Sequence, residues 1–128
     1  SKRSYPHLDI KNLTVEQAIE IYRRDWWDKY RYGDIKDQDV ATKVFDLSVN
    51  MGPATAHRLL QEALVFLGYP VEIDGIIGPQ TIGATNKADL RRLLQVLKWL
   101  AAHHYYRIAA QRPQSRAFLI GWLKRAYS

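Results

Sequence analysis

The 128-residue sequence contains no cysteine, which excludes a disulfide framework and any thiolate-ligated metal while saying nothing about compartment. It also lacks the eighteen or so consecutive apolar residues that a membrane-spanning helix needs, and it shows no basic, apolar, small-residue leader. Long period-two alternation, the mark of half-buried strands, is missing as well. No Gly-rich phosphate cradle, Walker-type segment or nucleophile elbow occurs, so nucleotide chemistry and α/β-hydrolase chemistry have no foothold. Glutamate is scarce: Glu16, Glu20, Glu62 and Glu72 are the four in the chain.

What is present is basic charge and helical periodicity. Nineteen Lys and Arg against thirteen Asp and Glu give a net charge of +6 and a pI near 9.7. Such a balance favours polyanionic partners through long-range steering, and a solvated, solubilising surface is the plain alternative. Much of the positive charge lies at Arg91-Arg92 and from Arg107 through Arg125. The length suits one domain able to bury its own core.

Apolar residues recur at three- and four-residue steps nearly throughout, so the expected fold is all-α, with about five to six helices. Thr14 and Gln17 form a capping-box start for a helix over 14–29 carrying Val15, Ala18, Ile19, Tyr22 and Trp26 on one face. A second helix is expected from Asp37–Asp39 to the Asn50–Gly52 turn, with Val40, Ala41, Val44, Phe45 and Ser48 inward. A third starts at Pro53 and closes at Gly68, placing Leu59, Leu60, Ala63 and Leu64 inside and His57, Arg58, Gln61 and Glu62 outside. Residues 69–78 read as a small loop or hairpin. A short helix follows from Pro79 to about Thr85, then a long one over about 87–110, then a last one from Pro113 with Phe118, Leu119, Trp122, Leu123 and Ala126 inward.

Asp74-Gly75-Ile76-Ile77-Gly78-Pro79-Gln80-Thr81 joins a glycine-enforced turn to a proline-started helix. From chemistry alone this could be no more than a good loop-to-helix connector. Phe45-Asp46-Leu47-Ser48-Val49-Asn50-Met51-Gly52-Pro53-Ala54 repeats the Gly-Pro device upstream. With these go Leu13-Thr14-Val15-Glu16-Gln17-Ala18, Tyr22-Arg23-Arg24-Asp25-Trp26-Trp27, Tyr105-Tyr106, Arg112-Pro113 and Phe118-Leu119-Ile120-Gly121-Trp122-Leu123-Lys124-Arg125. In this order the segments resemble glycoside hydrolase family 108, the bacterial and phage N-acetylmuramidases also called secretion activator proteins, with their C-terminal peptidoglycan-binding region.

The resemblance covers nearly the whole chain and implies a lysozyme-like helical body. It implies a muramidase part over 1–50 and a peptidoglycan-binding part over 51–128 that share one core. The implied partner is the peptidoglycan glycan strand, cleaved between N-acetylmuramic acid and N-acetylglucosamine, with action at the cell wall or periplasm and the export route not encoded here. The family's Glu-Gly-Gly-Tyr segment, whose glutamate is taken as the acid, has no counterpart. Ser1-Lys2-Arg3-Ser4-Tyr5-Pro6 reads like the residues just after the Gly-Ile that ends the Gly-rich stretch following that segment in the family, so the catalytic acid is expected upstream of Ser1 and no catalytic residue is assigned within the chain.

A glycosidase acid must be held protonated, usually in an apolar pocket, often with a second carboxylate nearby. Glu16 and Glu20 share one face of a helix start and fit solvated residues there. Glu62 and Glu72 have polar surroundings. Asp46 lies four residues before Asn50 in an otherwise apolar helix, either as a polar pin for the Asn50-Met51-Gly52 turn or as a cleft-lining group.

Sugar recognition uses flat aromatic faces with amide and guanidinium anchors. Trp26 and Trp27 point about 100° apart on a helix, so with Trp26 in the seam, Trp27, Tyr30 and Tyr32 are the expected platform; simple packing is the alternative. Arg107, Gln111 and Arg112 could hold carboxylates of the stem peptide or lactyl groups, or be a solvated helix end. The candidate substrate-binding set is therefore Trp27, Tyr30, Tyr32, Asp46, Asn50, Asp74, Tyr106 and Arg107. No cofactor is expected, and His103-His104 cannot act as an i, i+4 metal pair, so no metal is either. The other function classes are a non-catalytic wall-binding module and a basic helical nucleic-acid binder; the Gly-Pro loops and clustered aromatics do not suit the latter, and no nucleic acid is expected.

Overall fold

The computed structural model describes residues 13–112 and 118–128. Among these there are six α-helices, one 3-10 turn and no strand: α1 (Val15–Lys29), the 3-10 turn Tyr32–Asp34, α2 (Gln38–Met51), α3 (Pro53–Phe66), α4 (Pro79–Lys87), α5 (Leu90–Gln111) and α6 (Leu119–Ala126). The fold is all-α as the periodicity requires. The 69–78 segment is a loop with no ladder, and the 113–117 portion of the expected last helix lies outside the described residues.

The chain divides into two compact units, Ser1–Arg31 and Tyr32–Ser128. In the first, α1 starts on the capping box: the Gln17 amide donates to Thr14 Oγ1 (3.1 Å) and the Thr14 amide to Gln17 Oε1 (2.9 Å). The seam expected on this helix is not buried. Val15, Ile19 and Tyr22 are exposed and Trp26 is half-buried.

The second unit holds the core. α2, α3 and α5 pack pairwise, α4 packs on α3, and α6 packs on α5. Val40, Val44 and Leu47 from α2, Leu60 and Leu64 from α3, and Leu93 and Leu97 from α5 are fully enclosed. Each such side chain contributes on the order of 1.5–3 kcal/mol through loss of apolar surface to water. The helix starts follow their local chemistry. Asp37 Oδ2 accepts from the Val40 amide (3.0 Å), Asp89 Oδ1 from the Arg92 amide (3.3 Å), and Pro53 and Pro79 stand at first-turn positions where no amide is needed. Gly68 closes α3 at φ +95°. Asn86 ties α4 to the 3-10 turn by accepting from the Lys36 amide (2.9 Å) and donating to the Asp34 carbonyl (3.0 Å).

The last helix is fastened by a buried cation. Lys43, on α2 and only 5% exposed, donates to the carbonyls of Arg125 (2.7 Å) and Ser128 (3.3 Å). A lysine at a helix C-terminus complements both the free carbonyls and the negative end of the dipole. Of the residues expected inward on α6, Ala126 is buried, Leu119, Trp122 and Leu123 are half-buried, and Phe118 is exposed. Lys43→Met keeps the aliphatic bulk and removes the donors. We expect it to cost about 1–2 kcal/mol and to fray α6, read as a lower Tm and reduced helical circular dichroism.

Candidate functional site

The Asp74–Thr81 loop is held by two α3 side chains that the polarity pattern assigns to the outer face. His57 and Gln61, one helical turn apart, are 2% and 0% exposed. Gln61 Oε1 accepts from the Gly75 amide (2.8 Å). Its Nε2 lies within hydrogen-bond reach of Asp74 Oδ1 (2.9 Å), the Ile76 carbonyl (3.0 Å) and Thr81 Oγ1 (3.1 Å). Asp74 Oδ1 also accepts from the Ile76 amide (2.9 Å), an Asx turn that closes the loop on itself. These two donors hold the Asp74 carboxyl below its ordinary pKa. Buried polar groups must be paired, and this one amide side chain, with two N–H donors shared among three acceptors and one carbonyl acceptor, lies within reach of four groups of the segment.

His57 completes the clamp. Its Nδ1 stands 2.9 Å from the Gly75 carbonyl and its Nε2 2.6 Å from Tyr32 Oη. A carbonyl can only accept, so Nδ1 carries the proton and Nε2 accepts from the Tyr32 hydroxyl. Burial pushes the imidazole below its ordinary pKa, against a smaller upward pull from the Gly75 carbonyl. Gly75 sits at φ +78°, and a Cβ there would lie 3.3 Å from the Ala54 carbonyl oxygen on α3.

Two hollows flank His104 on α5. One, of about 390 Å³, is lined by Asn50, Met51, Tyr105, Arg112, Trp122 and Arg125 as well as His104. The other, of about 280 Å³, includes Arg58, Glu62, His103, His104 and Arg107. Burial and the Arg107 charge keep His104 below its ordinary pKa. In the first hollow Arg125 Nη1 donates to Asn50 Oδ1, and Asn50 Nδ2 donates to the Asp46 carbonyl (2.8 Å). Tyr105 stacks on Trp122 with centroids 5.5 Å apart, and Trp122 in turn on Phe118 at 6.2 Å. On the solvent side of α5, Trp99 is 58% exposed and stacks flat on His103 at 5.7 Å.

The sequence-derived candidates fall into separate places. Tyr32, expected on an exposed platform, is fully buried, because its hydroxyl is the partner of His57 and its ring packs edge-on against Phe45 at 6.1 Å. Trp27 and Tyr30 are half-buried in the first unit, where Tyr30 meets the edge of Trp26 at 5.6 Å and lies under Lys29 Nζ at 5.3 Å. Asp46 and Asn50 are half-buried beside α5 and α6. Asp74 belongs to the loop clamp. Tyr106 and Arg107 are exposed on α5, with Arg107 on the smaller hollow. Periodicity did not single out His57, Gln61, Tyr105, Trp122 or Arg125 as site residues. Only the i, i+4 spacing of His57 and Gln61 signalled that the first two share a side. Among the described residues no group of His, Asp and Glu is arranged to hold a metal.

Two tests follow from the clamp. Gly75→Ala forces an L-residue into a left-handed conformation against a backbone oxygen, and should lower stability by about 1–2 kcal/mol in chemical denaturation. The lowered pKa values of His57 and His104 mean that the unfolded chain binds more protons once the pH drops below about 6.5. Stability is then full above that pH and declines toward pH 5. Melts should show a falling Tm across this window, with a shallower slope in the His57→Gln/His104→Gln double variant.

Residues 1–52 match the family model described as Glycosyl hydrolase 108, and residues 55–127 match the one described as Predicted Peptidoglycan domain. The structure of SagA from Brucella abortus is similar, with a TM-score of 0.58 and 28% identity, over 91% of this chain and 66% of SagA. The chain therefore spans just under two thirds of that protein's length. No curated protein sequence matches it. Residues 1–52 are thus similar to glycosyl hydrolase 108, and since the match over 55–127 takes in more than half of the chain, this protein belongs to the peptidoglycan domain family.

Proposed function

We propose that this chain is the wall-binding body of a muramidase-type cell-wall hydrolase of bacterial or phage origin, and that peptidoglycan is its ligand. The observation that carries the reading is the coincidence of the peptidoglycan-domain match with the clamped Asp74–Thr81 loop and the hollows beside His104. The matched ranges support a muramidase part ending near residue 50 and a binding part from 51 onward. Within that division, the Tyr32–Met51 stretch shares its core with the binding part.

Binding rather than proton donation is what the described side chains offer. Glu16, Glu20, Glu62 and Glu72 are all exposed, whereas a general acid needs apolar surroundings to stay protonated near neutral pH. Asp46 is half-buried, and its charge acts on the Lys43 ammonium. Exposed Arg107 and Arg125, with exposed Trp99 and Tyr106, supply the basic and aromatic side chains suited to stem carboxylates and glycan rings.

Incubation with insoluble sacculi tests the proposal. The 128-residue chain should sediment with sacculi, should leave their turbidity unchanged, and should stay bound in the presence of excess duplex DNA. Failure to sediment would remove the reading. Clearing abolished by Asp46→Asn or Glu62→Gln would place the acid among these residues and overturn the division of labour. Displacement by DNA would favour a nucleic-acid binder.

A further inference from the structure

One residue that lines the larger hollow carries a polar atom with no partner. Tyr105 is 3% exposed, and its hydroxyl is buried without a hydrogen-bond partner. A stranded buried hydroxyl is costly, and native structures keep few of them. This one belongs to a residue lining a cavity of about 390 Å³, large enough for a small ligand. Burial, then the Asp46 charge, raise the phenol's pKa, with Arg125 opposing, so it stays protonated and able to donate at neutral pH.

The rest of the lining defines what the hydroxyl would meet. Arg112 and Arg125 bring two guanidinium groups, of which Arg125 spends one N–H on Asn50. Met51, Ile108 and Trp122 make an apolar wall. Asp46 supplies one opposing charge nearby, and Lys43 donates to the carbonyls of Arg125 and Ser128. Two planar cations and a neutral donor beside a short apolar wall fit a carboxylate carried on a small aliphatic residue, better than a neutral acetamido group or a sugar ring.

We infer that the hollow between the α2 C-terminus, α5 and α6 is a carboxylate subsite for the stem peptide of peptidoglycan, with Tyr105, Arg112 and Arg125 as its donors. The inference rests on the peptidoglycan reading above and adds which part of the polymer is held there. The glycan is left to other surfaces of the chain.

The probe is a soluble N-acetylmuramyl-L-alanyl-γ-D-glutamyl peptide, compared by calorimetry with the same molecule whose carboxylates are converted to amides. The acid should bind the full chain, and amidation should weaken it more than tenfold. Tyr105→Phe should leave Tm unchanged or raised, because it removes an unpaired polar atom, yet weaken the acid by about three- to tenfold. Arg125→Gln should weaken it further. If that variant unfolds, Tyr105→Phe and the amidated probe still decide. Equal affinity for acid and amide, or wild-type affinity in Tyr105→Phe, overturns the assignment. If the chain still sediments with sacculi in that case, the peptidoglycan reading stands and only the subsite falls. If the chain binds neither sacculi nor the peptide, both fall together.

Discussion

The second unit depends on one buried amide. Gln61 sits on a helix whose other inward residues are apolar, yet it is as deeply enclosed as Leu60 and Leu64 beside it. Its burial is tolerable because every polar atom it carries meets the Asp74–Thr81 loop. The dependence runs both ways: the loop has no strand ladder, so its backbone groups need that side chain as much as the side chain needs them. His57, one turn earlier, adds a second point of attachment and links the loop through its ring to Tyr32. The loop is thereby a rigid extension of α3, and α4, which begins at Pro79, is launched from a fixed base.

Much of the helical frame was legible in the sequence, because the signals were local. The Thr14/Gln17 box, Asp37, Pro53, Gly68 and Pro79 each act within a few residues, and each marks a boundary where it was expected. The candidate site was less legible, because its chemistry depends on long-range pairing. Polarity alone put His57 and Gln61 outside, since nothing in their own segment shows that a loop some fifteen residues downstream will supply partners. The same blindness put Tyr32 on an open platform. An aromatic with a hydroxyl reads equally as a sugar platform or as a buried donor, and only the position of His57 decides. For α1 the error ran the other way: its periodic apolar face reads as core, and the structure leaves Val15, Ile19 and Tyr22 exposed.

Charge and packing divide the functional surface among different elements. Arg107 comes from the last turns of α5 and Arg112 caps its C-terminus, Arg125 comes from the last turn of α6, and Asn50 from the last turn of α2. Several helix ends therefore meet around the Tyr105–Trp122 stack, and Lys43 holds α6 in place from below. The buried lysine and the exposed arginines have separate tasks. A strongly hydrated ammonium is used where it can satisfy carbonyls, and planar guanidinium groups are left facing solvent, where anions arrive.

The pairing of His57 also has a spectroscopic consequence. An imidazole N–H enclosed between a carbonyl and a helix, with the opposite nitrogen occupied by a phenol, is shielded from exchange with water. Its proton should therefore give a resolved signal far downfield of the amides in an NMR spectrum at neutral pH. That resonance would report on whether the Asp74–Thr81 loop is docked, without any label being introduced, and would offer a direct view of the loop while wall fragments are titrated in.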